Sequence, residues 1–223
     1  MTTPDLSSIH LWHLVTRLGE AQILLPAALL ALLLLLRNAD SRPLAVRWWL
    51  MVGTAALLTT ASKVAFIGWG ISSPELNFTG ISGHSMFAAA VYPLLFDTLA
   101  SNTPHWGRRF ALLVGCVLAL LVGVSRVMVG AHSGSEVLAG LLLGAAVTVA
   151  ASGLVRRPPV AHSLALPVVT ALWLAVMAVY APASRSHATV TQLALMLSGH
   201  TKPYARSDML RDSSRSRSAS GIG

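Results

Sequence analysis

Long apolar stretches recur along this chain, and arginines punctuate the gaps between them. The stretches fall at about residues 21–36, 47–70, 82–101, 109–131, 134–155 and 162–182. A helix rises about 1.5 Å per residue, so some 20 apolar residues cross roughly 30 Å of hydrocarbon. Lipid offers the backbone no hydrogen-bond partners, so such segments must be helical or close into a barrel. Their length and unbroken apolar character predict an all-α integral membrane bundle of about six transmembrane helices. Composition agrees: only 11% of the 223 residues are charged, against about 25% in a soluble domain.

The net charge of +8 does not point to nucleic acid, because the cations cluster at helix ends instead of striping one face. They act as topology signals. Arg37, Arg42, Arg47, Arg108, Arg109, Arg156 and Arg157 occupy three alternate loops, which the positive-inside rule assigns to the cytoplasm. The loops after the second and fourth spans then face away from it, as do both termini, although the Arg-rich end of the chain fits that side poorly. The stretch 21–36 is not a cleavable signal, since its positive charges follow the apolar run. The lone cysteine, Cys116, excludes a disulfide framework within the chain.

The chain therefore divides into an interfacial segment (1–18), a six-helix membrane domain (19–184) with its core at 60–155, and a polar, mobile tail (185–223). His10 and His13 in the first segment are three apart and could share a face as metal ligands, but they read as interfacial decoration instead. Gly140 and Gly144 form a small-xxx-small pair for close helix packing.

Charged residues inside or at the edge of such a bundle are costly and mark function. The run from Ser125 to Glu136 holds Arg126, His132 and Glu136. His132 and Glu136 are four apart, so on a helix the carboxylate reaches the imidazole. A carboxylate on one ring nitrogen fixes the tautomer and makes the other a better nucleophile or base. Arg126 offers a planar fork suited to phosphate. Alternation through the membrane brings Lys63 and Ser82-Gly83-His84 to the same face. There the start of a helix favours an anion, and Gly83 lets the backbone approach it. Singly, each has a plain reading as a snorkelling lysine, a cap or an edge histidine; converging on one face, they make a site. A second Ser-Gly-His at 198–200 opens no long apolar helix and is a coincidence.

These residues carry a resemblance to the type 2 phosphatidic acid phosphatase superfamily, in its membrane lipid-phosphatase branch. Its third motif, Ser-Arg-x5-His-x3-Asp, is matched by Ser125, Arg126 and His132, with Glu136 for Asp. Its second, Pro-Ser-Gly-His, is matched by Ser82, Gly83 and His84, with Ile81 for Pro. Its first, Lys-x6-Arg-Pro, is matched only at Lys63, because Gly70 and Ile71 replace Arg-Pro. The resemblance covers about residues 60–140. It implies that His132 is the nucleophile, giving a phosphohistidine, and that Glu136 orients it. It implies that His84 protonates the leaving alkoxide and later helps activate water, while Lys63, Ser82, Gly83 and Arg126 hold the phosphate oxygens.

The expected activity is metal- and cofactor-independent hydrolysis of a lipid phosphate or diphosphate in a bacterial-type inner membrane, with membrane lipid as a further partner and no nucleic acid. Glu for Asp keeps the charge. Loss of the first-motif arginine removes a contact of about 1.5–3 kcal/mol, one to two decades in rate. Asn77 and Thr79 are the only nearby polar replacements in the outward loops. That loss motivates the alternative of a catalytically inactive lipid-phosphate-binding protein; a mere binder, however, has no need of a His–carboxylate pair beside a second histidine. A transporter would place its ionisable residues near the midplane, and a vanadate-dependent haloperoxidase, which shares the motif, is soluble.

Overall fold

The computed structural model describes residues 6–152, 160, 162–163, 165–182, 184 and 186–219. Arg156 and Arg157, used above for topology, lie outside the described residues. The described elements are helices: α1 (Leu6–Arg17), α2 (Ala21–Leu36), α3 (Arg42–Trp69), α4 (Gly83–Leu99), α5 (His105–Met128), α6 (Gly134–Ser152), α7 (Leu166–Tyr180), α8 (Ser186–Ser198) and α9 (Arg206–Ala219), with one short 3-10 turn at Ala39–Ser41. The fold is an all-α membrane bundle.

Helix α3 with its preceding turn, α5 and α6 are each long and apolar enough to cross a membrane. The end of α1 and α2, bent by 40° at their break, make a fourth span if they act as one. Helices α4 and α7, at 17 and 15 residues, are shorter. On α5, Leu113, Val117, Leu120 and Val124 are exposed, an outer face that water would penalise and lipid does not.

Helix α4 is the axis of the bundle, with 13 of its 17 residues buried. It contains Pro93, which has no N–H to give the carbonyl of Ala89. The Thr148 hydroxyl donates to that carbonyl instead, at 2.8 Å, and the Trp48 indole donates to Ala90 O at 2.9 Å. Two long-range side chains thus satisfy backbone that the proline leaves open in a dry interior. Helix α6 closes on α4 through its glycines. A Cβ on Gly140 would come within 2.5 Å of Ser82 O, and one on Gly144 within 2.2 Å of Met86 O. The small-xxx-small pair is therefore what lets α6 lie against α4, and this approach sets the distance between their N-terminal ends.

The segment expected as a polar tail contains α8 and α9. They dock on the end of α3 through a small apolar cluster of Val64, Phe66, Ile67, Ala194 and Met209. Tyr204 N–H donates to Ile67 O at 2.9 Å, and its ring meets Phe66 edge-on at 5.6 Å. His200, of the second Ser-Gly-His, has Nδ1 2.8 Å from Gly68 O; it fastens this segment to α3.

Candidate active site

The N-terminal ends of α4 and α6 lie side by side, joined by a hydrogen bond from Ser82 N–H to Glu136 O at 3.1 Å. Beside them is a cavity of about 630 Å³ whose wall includes Lys63, Gly83, His84, Arg126, His132 and Arg206. Glu136 and Ser82 are completely buried behind that wall. All seven residues singled out from sequence are thus gathered at one end of the bundle.

Glu136 organises the centre. Its Oε2 lies 2.7 Å from His132 Nδ1 and accepts from Ser133 N–H at 3.1 Å. Its Oε1 accepts from Thr79 N–H at 2.7 Å and from the Thr79 hydroxyl at 2.5 Å. A buried carboxylate so supplied stays ionised and accepts a hydrogen bond from the Nδ1–H of His132, leaving Nε2 with its lone pair. Burial pushes the His132 imidazole below its ordinary value of 6.5, with the Glu136 hydrogen bond opposing. The neutral ring is therefore the resting form near neutrality.

The chain turns sharply between α5 and His132. Gly130 adopts a left-handed conformation (φ 68°), and the amides of Ala131 and His132 both donate to Arg126 O. That hairpin brings the ring of His132 back over the end of α5, where Arg126 sits. Arg126 Nη1 donates to Thr16 Oγ1 at 2.9 Å, so the segment before α2 helps aim the guanidinium. Close by, a Cβ on Gly19 would stand 2.9 Å from His84 Cβ; only glycine lets this segment press against the second histidine. Ser82 caps α4 without using its hydroxyl on the helix; the hydroxyl lies 2.9 Å from that of Ser85. A Cβ on Gly83 would stand 3.9 Å from the Lys63 ammonium, so the free amides at the start of α4 and that cation face the same space. Two imidazoles, the cations Lys63 and Arg126, and a helix N-terminus adjoin one cavity, a set of donors with the chemistry to receive a tetrahedral anion.

A model of the PAP2 superfamily matches residues 68–159, which include the second and third motifs. An uncharacterized 22.5 kDa protein of the cps region of Klebsiella pneumoniae is 42% identical over 148 residues, 66% of this chain and 71% of that protein. The chain belongs to the PAP2 superfamily. Phosphatidylglycerophosphatase B of Bacillus subtilis is 40% identical over 72 residues, 31% of this chain and 36% of that protein, so this likeness spans about a third of either. The crystal structure of a transmembrane PAP2-type phosphatidylglycerolphosphate phosphatase from Bacillus subtilis superposes with a TM-score of 0.52 at 27% identity, covering 69% of this chain and 78% of that one. Together with the apolar helices, these likenesses make this member a multi-pass membrane protein.

Sequence reasoning missed Arg206. Its Nη2 lies 2.8 and 2.9 Å from the two oxygens of Glu136, although 70 residues separate them in the chain. Nothing local marks it among the other arginines of a Ser-rich segment. Asn77 and Thr79, expected as stand-ins for a lost arginine, instead hold this one. Among the described residues no group of three or more His, Cys, Asp or Glu gathers as a metal site.

Proposed function

We propose that this protein is a membrane phosphatase that hydrolyses a lipid phosphate or diphosphate through a phosphohistidine on His132. The observation that carries the reading is the 2.7 Å contact of His132 Nδ1 with buried Glu136, which leaves Nε2 facing a cavity walled by cations. Nε2 attacks phosphorus, the bond from phosphorus to the leaving oxygen breaks, and His84 protonates that oxygen. His84 then takes a proton from water, which attacks phosphorus and returns His132 to its neutral form. Lys63, Arg126 and the Gly83 amide hold the non-bridging oxygens, where charge neutralisation supplies most of the acceleration, while Ser82, buried behind the wall against Ser85, supports the start of α4.

An amphiphilic substrate suits the cavity, whose polar groups adjoin Phe66, Ile67 and Phe87. The catalytic unit spans about residues 60–155 within a six-span domain in an inner (plasma) membrane, with the site facing away from the cytoplasm. No metal enters the proposed cycle, because the site's buried carboxylate, Glu136, is committed to His132 and the other charged residues of the wall, Lys63, Arg126 and Arg206, are cations. The test is phosphate release from a panel of phosphatidic acid, phosphatidylglycerophosphate, polyprenyl diphosphate and lipid A phosphate. Turnover should survive EDTA and be inhibited by vanadate. Loss on chelation, restored by a divalent ion, would overturn the metal-free cycle. Lipid binding without turnover of any substrate would favour the inactive binder.

A further inference from the structure

We propose that Arg206 is a positioning residue of this site: it fixes Glu136 and, through it, His132. The inference rests on the phosphatase reading for its catalytic consequence but on geometry for its substance. The guanidinium spans the carboxylate and its support. Nη2 reaches both Glu136 oxygens and lies 3.2 Å from Thr79 Oγ1, while Nη1 donates to Asn77 O at 2.9 Å and Asn77 Oδ1 at 2.5 Å. Asn77 sits in the left-handed region (φ 49°), which asparagine tolerates well, and this aims its carbonyl and side chain at the same nitrogen.

A surface ion pair of this kind contributes little, because water screens it. Here the carboxylate is wholly buried and the arginine side chain only one-third exposed. The segment that carries Arg206 is also docked. Tyr204 fills the space beside Gly70, where a Cβ would come within 3.2 Å of its ring, and Met209 is buried among Val64, Phe66 and Ile67. Arg206 is therefore delivered to Glu136 by a segment that Tyr204 and Met209 hold against the end of α3.

The consequence is electrostatic as well as steric. His132 is faced by Glu136 from α6, Lys63 from α3, Arg126 from α5 and His84 from α4, and Arg206 approaches from α9 behind the carboxylate. A guanidinium sharing Glu136 weakens that carboxylate as a partner for imidazolium, which favours the neutral, attacking ring. It also leaves Oε2 one geometry in which to hold Nδ1.

The experiment titrates the His132 ring by NMR in the full-length protein in detergent micelles, assigned with His132→Ala, alongside kinetics on p-nitrophenyl phosphate. In Arg206→Gln the His132 midpoint should rise by about one pH unit, and kcat should fall roughly tenfold with KM within about twofold. Arg206→Lys should recover part of both. Added to Glu136→Gln, the Arg206→Gln change should cost less than about twofold more, since both act through one group. Should Arg206→Gln not fold, Asn77→Gly keeps the left-handed turn, removes one anchor of Nη1 and should shift the midpoint the same way by less. An unmoved midpoint, a raised KM at constant kcat, or fully multiplicative losses would overturn the proposal. The two readings fail separately. The midpoint shift without turnover in wild type sinks the phosphatase and keeps the positioning role; turnover without the shift does the reverse.

Discussion

Two buried carboxylates mark opposite ends of this bundle, and they are built differently. Asp97, at the end of α4, is gripped by Arg108 in a fork of 2.7 and 2.8 Å. Its partner is 11 residues away, across the short connection from α4 to α5. Glu136 takes bonds from Thr79, His132, Ser133 and Arg206, and the first and last of these come from distant parts of the chain. A bidentate pair satisfies both charges and closes a helix connection; it fastens. At Glu136, by contrast, an imidazole shares the carboxylate with its supports and turns its other nitrogen to a cavity. The lesson is that burial of a carboxylate does not mark function by itself. What distinguishes the one proposed to work is a titratable partner that lines a cavity.

The sharpest way to break that comparison is to remove one member at each end. His132→Ala should lower turnover by about three orders of magnitude or more, as loss of a nucleophile does, while substrate still binds. Asp97→Ala should leave turnover per folded molecule within about twofold yet lower stability by about 3–5 kcal/mol, because it removes the bidentate partner of a partly buried guanidinium. Thermal unfolding in detergent, measured beside phosphate release, separates the two. Equal kinetic losses at both ends would erase the distinction.

The second histidine should fail in its own way. With an alkoxide leaving group, His84→Ala should cost about 10²–10⁴-fold, the usual worth of general acid catalysis. A p-nitrophenolate departs with little protonation, so that substrate should lose far less in its first step, and an acid-labile phosphoryl group should accumulate on His132. Equal losses on both substrates would remove His84 from the acid role.

Proton linkage gives a smaller effect with a defined sign. Burial lowers the His132 value in the fold, and in the proposed cycle only the neutral ring attacks. The acid limb of kcat/KM should therefore lie below 6.5, activity being lost as pH falls through the depressed value. The linked stability is present above the unfolded value of 6.5 and lost as pH falls through the same folded value. A limb above 6.5 would contradict the burial argument.

Orientation is the last test and needs no turnover. In a Cys116→Ser background, Glu75→Cys at the site end should react with an impermeant thiol reagent in intact spheroplasts, and Asn102→Cys at the Asp97 end only after lysis. The opposite pattern would invert the molecule.

The helical membrane fold and the residues around His132 were legible in the order of the amino acids. Apolar length is a local property that hydrocarbon enforces, so helices α2 to α7 fall close to where the pattern places them. The pairing of His132 with Glu136 was legible because four residues make one helical turn. The gathering of Lys63, Ser82, Gly83, His84 and Arg126 was legible because spans alternate across a membrane. What supports the pair emerges from the packing of distant segments. Thr79 and Arg206 reach Glu136 across 57 and 70 residues, and Thr16 reaches Arg126 across 110; no periodicity carries such distances. In sequence, α9 reads as a polar tail because its composition is Ser- and Arg-rich. Its place beside the site is set by a few apolar side chains, Tyr204 and Met209 above all, which find partners on α3 only once the bundle has formed.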